Sequence, residues 1–289
     1  MAKMKFFKQS VGMKVTYILF LLFFFLEAVF HVFPMVWAVM NSLKSAKDFF
    51  NSNFGLPTSL HFNNYIHVFS DFRYKQFTYL DMLFNSLWIL AVKVFVNVLS
   101  STLMAYALAR FRFPGKNFLY SLVIFANTIP IIGAGSVEYK FFSELGFVNN
   151  PALIWFAWAG GFDFAFIVLY GTFKGISQNY SEAARIDGAG NLRVLLQIVL
   201  PQAFPCIAAI AITQAIGVWN NYGTVMIYLR DFPNLAYGLY LFETGSNYVE
   251  NSKPIFFAAT VISSIPVIVL YASNMKLILT NVTAGGLKG

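Results

Sequence analysis

A polar island in an otherwise apolar chain reads Ser181-Glu182-Ala183-Ala184-Arg185-Ile186-Asp187-Gly188-Ala189-Gly190 and continues to Ile198-Val199-Leu200-Pro201. Ser177 or Asn179 can cap a short helix here, because its side-chain oxygen accepts a hydrogen bond from a free backbone N–H group. The two alanines give that helix a face without bulk, and the glycines then permit a turn. A second short helix follows from Asn191 before Pro201. The pattern predicts a small helix-turn-helix.

The composition of the chain is that of a membrane protein. Of 289 residues, 58% are hydrophobic and only 11% are charged, whereas about 25% of the residues in soluble domains are charged. Runs of about 20 apolar residues recur, and each is long enough to cross a bilayer. They span about residues 15–40, 82–109, 118–137, 151–173, 203–229 and 255–279. We predict an all-α protein with six transmembrane helices.

No part of the chain outside these runs is long enough to fold alone. We therefore predict a single membrane domain over residues 1–289, with an outlying first helix at 15–40 and a core at about 81–280. The polar island forms a loop at about 174–202.

The distribution of charge predicts the orientation of the chain. Six spans place both termini on one side, and on that side Lys and Arg far outnumber Asp and Glu. Positive residues concentrate on the cytoplasmic side of membrane proteins. We therefore expect cytoplasmic termini, a cytoplasmic loop at 174–202 and a multi-pass protein of the plasma membrane. The basic residues lie beside the spans rather than on one face, so the net charge of +8 does not indicate nucleic-acid binding.

The chain carries no recognisable catalytic or metal-binding constellation. Gly115-Lys116 is the only Gly-Lys pair, and it lacks the upstream Gly and the following Ser or Thr of a nucleotide-binding P-loop. A single cysteine, Cys206, excludes an internal disulfide. We predict a protein that is not an enzyme, with no metal and no cofactor of its own, whose energy comes from a partner.

Ionisable residues inside a membrane are costly and often functional. Glu27, Lys93 and Asp163 lie within predicted spans, where they either line a path or form structural pairs such as Glu27 with Lys93. Trp219-Asn220-Asn221 lies in the fifth span, and adjacent amides facing lipid would be expensive. An aromatic ring beside amides also suits a sugar, since the ring stacks on C–H faces and the amides bond hydroxyls. The residues predicted to line a path are Trp219, Asn220, Asn221 and Asp163; the alternative is a structural role between helices.

The spacing of the polar island is that of a known signature. Glu-Ala-Ala, three residues, Gly, nine residues and Ile-x-Leu-Pro match the coupling loop of permease subunits in bacterial ABC importers. Asn85-Ser86-Leu87 and the Ala105–Arg110 segment also match the maltose-type pattern. The chain resembles the carbohydrate permeases of the maltose type, specifically the shorter of the two partners, which are inner membrane components of binding-protein-dependent transport systems.

This resemblance implies a type I ABC importer permease fold with a cytoplasmic coupling helix-turn-helix. The implied partners are a second permease subunit, two subunits that bind ATP and Mg, an extracellular solute-binding protein, the lipid bilayer and a carbohydrate substrate. The chain would form half of the translocation path for a sugar or oligosaccharide, and its Gly-rich tail at 284–289 resembles an ending that reaches into the ATPase. The residues implied to couple to the ATPase are Glu182, Ala183, Ala184, Asp187, Gly188, Ile198, Leu200 and Pro201.

Two alternatives stay open at the level of sequence. One is an ion-coupled secondary transporter in which Glu27 and Asp163 titrate. The other is the same class of importer carrying a polyol, glycerol phosphate or a uronate oligosaccharide.

Overall fold

The computed structural model describes residues 10–129, 133–244 and 253–284, and the chain forms two compact units. The first unit comprises Met1–Phe72 and Gly245–Ser263, and the second comprises Arg73–Thr244 and Ser264–Gly289. The glycine-rich tail beyond Ala284 lies outside the described residues.

Helices make up nearly all of the regular structure. The N-terminal elements are α1 (Val11–Ser42), α2 (Ala46–Asn51), α3 (Asn63–Asp71), β1 (Arg73–Tyr74), β2 (Phe77–Thr78) and α4 (Tyr79–Arg110). The middle of the chain forms α5 (Lys116–Thr128), α6 (Gly135–Glu144), α7 (Ile154–Trp158), α8 (Phe164–Gly175), α9 (Gln178–Ile186), α10 (Asn191–Val194) and a π-helical turn (Leu195–Val199). The last elements are α11 (Leu200–Asn220), α12 (Gly223–Tyr228), α13 (Leu235–Thr244) and α14 (Lys253–Ala284).

In the first unit, aromatic contacts hold the segment after α1. The indole N–H of Trp37 donates to the Asn53 carbonyl at 2.9 Å, and its ring meets Phe257 edge-on with ring centroids 5.0 Å apart. Phe49 packs against the same Phe257 ring. The earlier part of α1 buries none of its side chains; only Asn41 and Ser42, at its end, are buried. Its apolar surface is therefore open to lipid or to other subunits.

Lys44 fixes the polar segment that follows α1. Its side chain is fully buried, and Nζ donates to the Ser52 carbonyl at 2.7 Å. Burial lowers the pKa of the Lys44 amine, while the nearby Asp48 carboxylate opposes that change. The Asn64 amide donates to the carbonyls of both Ser42 and Lys44 at 2.8 Å. These bonds satisfy the carbonyl groups at the end of α1.

In the second unit, α4 lies between α8 and α11 and contacts both. Ser101, Ala105 and Ala109 fall at four-residue intervals on α4 and are buried. Small residues at this spacing let neighbouring helices approach closely in a membrane. The main core draws on α4, α5, α8, the π-helical turn and α11. A second cluster joins Ile89 of α4 to Ile154, Trp158, Val225, Leu229 and Tyr237.

Among the described residues, four helical segments are long and apolar enough to cross a membrane: Val11–Ser42, Tyr79–Arg110, Asn191–Asn220 and Lys253–Ile278. The third, fourth and fifth predicted spans differ from continuous helices; the fifth is divided because α11 ends at Asn220 and α12 begins at Gly223. α5 ends at Thr128 because Ile129, which is extended, precedes Pro130, and a residue before proline avoids helical angles. The fourth region is divided between α7 and α8 at Gly161, whose φ is +72°. The count of six spans stays a prediction.

One small element departs from the all-helical prediction. β1 and β2 form a two-stranded antiparallel ribbon just before α4, with Lys75 in its turn at a φ of +52°. Thr78 and Asp81 then form a capping box, in which each side chain accepts a hydrogen bond from the backbone N–H of the other. The ribbon therefore ends where the cap of α4 begins.

Candidate functional site

The polar island folds into two short helices joined by a turn, and we call residues 178–199 the coupling hairpin. The Ser177 hydroxyl accepts from the Asn179 N–H at 3.3 Å and caps α9. Gly188 then takes a φ of +83°, a left-handed conformation that glycine adopts without strain. Ala189 N–H donates back to the Ala184 carbonyl at 2.9 Å, which closes the end of α9.

One face of the coupling hairpin is part of the core of its own unit. Ser181, Val194, Leu195 and Val199 are buried. Ala184 and Ala189 are partly buried and also pack against the main core. The hairpin is therefore attached to the helix bundle by side-chain packing and not only by its ends.

The other face of the hairpin is exposed and carries both charge and apolar surface. Glu182, Ala183, Asp187 and Gly188 are exposed. Ile186 is 86% exposed and Leu192 is 68% exposed. Exposed apolar side chains grouped on a polar surface are typical of protein–protein contact sites. This face can receive a partner that covers the apolar residues and pairs with the carboxylates.

The remaining residues implied to take part in coupling occupy different positions. Ala184 faces the bundle, whereas Ala183 faces outward, so the two neighbouring alanines are not equivalent. Ile198 and Leu200 are partly buried in the segment that leads into α11, and Pro201 is exposed. These three residues join the hairpin to the bundle and lie outside its exposed face.

Arg110 links α4 to the entrance of the hairpin. Its Nη2 donates to the Ile176 carbonyl at 2.8 Å, between α8 and α9. Within the hairpin, Arg185 Nη2 donates to Asn191 Oδ1 at 3.1 Å and joins α9 to α10. Sequence reasoning counted Arg110 among the cytoplasmic basic residues and as the end of the segment that matches the maltose-type pattern; its place at the end of the apolar run of α4 was the available hint of a further role.

The residues predicted to line the path make local contacts. Asp163 caps α8, where Oδ1 accepts from Phe166 N–H at 3.2 Å and from the Ser101 hydroxyl at 3.0 Å. Asn221 lies between α11 and α12, and its Oδ1 accepts from the Thr224 N–H at 2.8 Å. The Asn220 amide donates to a carbonyl of its own helix, and Trp219 is buried. Their contribution to a path stays a prediction.

A polar cavity of about 260 Å³ lies within the second unit, near the middle of α4. Its polar and aromatic lining is contributed by several elements and includes Lys93, Asn97, Glu138, Trp158, Thr224 and Tyr228. Lys93 Nζ lies 3.5 Å from Thr224 Oγ1 and 5.7 Å from the centre of the Trp158 ring. Lys93 and Asn97 were detectable from sequence as a four-residue pair on one helix face; the groups from the other elements were not.

Glu27 contacts a residue of its own helix. Its carboxylate lies 3.7 Å from Nδ1 of His31, one helical turn away. The suggested Glu27–Lys93 ion pair stays a prediction. Over residues 10–129, 133–244 and 253–284, no group of three or more His, Cys, Asp or Glu side chains could hold a metal ion.

An apolar groove of about 900 Å³ runs between α4 and α11. Phe95, Leu99, Phe204 and Ile207 are among its lining residues. Thr102 also lines it, and the buried Thr102 hydroxyl has no hydrogen-bond partner in the described part of the chain.

Similar proteins are found both by sequence and by structure. Residues 97–282 match the family described as the binding-protein-dependent transport system inner membrane component. The diacetylchitobiose uptake system permease protein of Streptomyces coelicolor is 30% identical over 263 residues, which is 90% of this chain and 85% of that protein. The trehalose/maltose transport system permease protein of Thermococcus litoralis is 28% identical and covers 91% of this chain and 94% of its own length.

Among solved structures, a chain of a bacterial ABC transporter involved in the import of the acidic polysaccharide alginate has a TM-score of 0.81 at 25% identity. The match covers 93% of this chain and 98% of that chain. The similarity thus extends over most of both chains. The chain belongs to the family of inner membrane components of binding-protein-dependent transport systems.

Proposed function

We propose that this chain is the transmembrane permease subunit of an ATP-driven, binding-protein-dependent importer of a sugar or oligosaccharide. In this role it forms half of the translocation path and transmits force from ATPase subunits. It performs no bond chemistry itself. The observation that carries the proposal is the two-sided coupling hairpin, which is packed into its own bundle on one face and open on the other.

The hairpin suits a mechanical joint because its two faces have different roles. An ATPase subunit that contacts Glu182, Ala183, Ile186 and Asp187 moves the whole hairpin, since Val194 and its neighbours are fixed in the core. Proteins transmit small displacements through packed cores because those cores deform little. The bond from Arg110 to the Ile176 carbonyl supplies a second connection, to α4. ATP-driven closure of the ATPase pair would thereby move the helices that surround the path.

The cargo class follows from the relatives. The permeases from Streptomyces coelicolor and Thermococcus litoralis are described as acting in diacetylchitobiose and trehalose/maltose transport. We propose a carbohydrate cargo on that basis. The partners in this proposal are a second permease, two ATP-binding subunits and an extracellular solute-binding protein. ATP and Mg bind to the ATPase subunits.

The proposed arrangement has six spans, cytoplasmic termini and a cytoplasmic hairpin. The apolar groove between α4 and α11 and the uncovered surface of α1 are suited to lipid and to the second permease. A single permease domain over residues 1–289 is part of the proposal.

The alternative of an ion-coupled secondary transporter depended on titration of Glu27 and Asp163. The local contacts of both residues disfavour it. Asp163 is engaged at the N-terminus of α8 and Glu27 lies beside His31. The family match also favours the importer.

Uptake by the reconstituted complex tests the proposed function. The chain is co-expressed with its cognate second permease, ATPase subunits and binding protein, and the complex is placed in proteoliposomes. We expect uptake of a radiolabelled oligosaccharide only when two conditions are met. ATP must be present on the side of the membrane where the ATPase subunits lie, and the binding protein must be present on the opposite side. A protonophore should leave uptake unchanged. Uptake that follows an imposed ion gradient without ATP would disprove the proposal.

A further inference from the structure

The cavity around Lys93 contains charged groups that do not pair with one another. Lys93 lies well inside α4, where a charge is costly unless it has a function or a partner. Its ammonium contacts the Thr224 hydroxyl and the Trp158 ring. Within the described ranges Lys93 forms no ion pair with an acidic side chain. Two of its three N–H donors therefore remain for another acceptor.

A second charge lines the same cavity from another element. Glu138 of α6 is exposed and lines the cavity together with Tyr228. A carboxylate can accept several hydrogen bonds, so Glu138 is an acceptor for a ligand in the cavity. The cavity is thus lined by hydrogen-bond donors on Lys93 and by hydrogen-bond acceptors on Glu138.

Asn97 adds a polar group one helical turn after Lys93. Its Oδ1 accepts from the Gln214 amide at 2.6 Å, which orients the Asn97 side chain. The Asn97 NH₂ group makes no hydrogen bond within the described residues, and it is a further donor toward the cavity. Trp158 and Tyr228 supply aromatic surface at the same place.

The balance of charge selects the class of ligand. One cation and one carboxylate give the cavity no formal net charge, so the attraction of an anion to Lys93 is opposed by Glu138, and the attraction of a cation to Glu138 is opposed by Lys93. A hydroxyl both accepts and donates hydrogen bonds. A neutral ring bearing several hydroxyls can accept from Lys93 and Asn97 while it donates to Glu138. Apolar C–H groups of such a ring match the aromatic lining.

We propose that the cavity lined by Lys93, Asn97, Glu138, Trp158, Thr224 and Tyr228 is a binding subsite for one neutral sugar unit of the transported oligosaccharide. This inference rests on the proposed function, and it assigns a direct role in cargo recognition to this chain. Neutral oligosaccharides are thereby favoured over uronate oligosaccharides and glycerol phosphate.

Proteoliposomes of the complete transporter with its binding protein test this subsite. Wild-type uptake is first measured for maltotriose, diacetylchitobiose and trigalacturonate, each radiolabelled. We expect a neutral oligosaccharide to be imported. Import of trigalacturonate in preference to both neutral compounds overturns the subsite but leaves the importer function intact. Failure to import any of the three counts against the proposed function itself and, with it, the subsite.

Variants of Lys93 and Glu138 then test whether the imported oligosaccharide binds in this cavity. Lys93→Met and Glu138→Gln should each raise the half-saturating concentration of the imported neutral oligosaccharide by about tenfold, as expected when a hydrogen bond to a charged group is lost. Glu144→Gln is the matched control, because Glu144 is on the same α6, is exposed and pairs only with exposed Lys140. Half-saturation within about twofold of wild type for both cavity variants overturns the proposal.

A second measurement keeps both charged residues in place. Thr224→Cys puts a thiol at the cavity wall, and the imported neutral oligosaccharide should slow its modification by a maleimide at least several-fold. The chain without the Thr224→Cys substitution gives the background rate of maleimide modification, since its one cysteine, Cys206, is buried. An unchanged rate of modification in saturating oligosaccharide contradicts the subsite even if Lys93→Met fails to assemble.

Discussion

Gly188 determines the shape of the coupling hairpin. Its φ of +83° is a conformation that side chains with a Cβ atom adopt only at a cost of roughly 1–2 kcal/mol. No neighbouring atom lies near the position a Cβ would occupy, so any effect of a substitution arises from the backbone rather than from a clash. The turn, and with it the direction of α10, therefore depends on this one residue.

We expect Gly188→Ala to lower the population of the correctly formed hairpin by a factor of about 5–30, which corresponds to a cost of this size. Less ATPase should then co-purify with the permease, and ATP-driven uptake should fall in parallel. The measurement is the ratio of ATPase to permease after detergent purification. Gly175→Ala is the control, because Gly175 lies at the end of α8 with open space around it and no positive φ. Equal retention of ATPase by both variants would contradict the role given to Gly188.

For single residues, the sequence indicates the conformation or chemical group that is needed more readily than the place of each residue in the fold. The alternation of alanine, acid and glycine predicted a turn at Gly188, because few residues other than glycine suit one. Asp163 and Asn221 were interpreted as path-lining groups, and a path role for them stays a prediction; in the structure their side chains accept hydrogen bonds from Phe166 N–H and Thr224 N–H at helix starts. A polar residue inside an apolar run looks the same in either role until the point at which the helix restarts is known. The cavity residues Glu138 and Thr224 come from separate elements and could not be grouped with Lys93 by spacing.

The connection between α4 and the coupling hairpin depends on the side chain of Arg110. Its guanidinium reaches a backbone carbonyl just before α9, and its Nε is buried without a hydrogen bond to the described residues. We expect Arg110→Gln to reduce the amount of substrate transported per ATP hydrolysed by about tenfold, the loss expected for a hydrogen bond from a charged donor. Parallel assays of ATP hydrolysis and uptake measure this ratio.

Arg112→Gln is the matched control for that experiment. Arg112 is two residues away and exposed, so this variant makes the same change of charge without removing the contact to Ile176. An unchanged ratio for Arg110→Gln, or an equal fall for both variants, would show that the contact does not transmit movement.

Among the elements, long helices were predictable and interrupted ones were not. The predicted spans at 15–40 and 82–109 lie within α1 and α4, because an unbroken apolar run of this length has few alternatives in a membrane. The regions at 118–137 and 151–173 contain breaks at Ile129 and Gly161. Pro and Gly are tolerated inside membrane helices, as Pro205 is in α11, so their presence alone does not identify a break.

On the scale of the whole molecule, the central prediction is the side of the membrane on which the hairpin lies. Ile186→Cys places a thiol on its exposed face, and Lys140→Cys places one on α6, where the side chain of Lys140 is 78% exposed. In intact cells, a membrane-impermeant maleimide should modify Lys140→Cys and should leave Ile186→Cys unmodified. In inverted vesicles, the same maleimide should modify Ile186→Cys and should leave Lys140→Cys unmodified.

The parent chain serves as the control for both positions, since Cys206 is only 6% exposed. Rapid modification of Ile186→Cys in intact cells would put the hairpin outside the cell. No cytoplasmic ATPase could then reach it, and the proposed coupling would be wrong.

The unburied surface of α1 has a consequence for how its sequence can change in evolution. Between Val11 and Val36 the helix buries no side chain, so it is under little constraint from internal fit, and one apolar residue can replace another there with little effect on folding. These residues can then vary in evolution as long as the helix stays apolar enough for its surroundings.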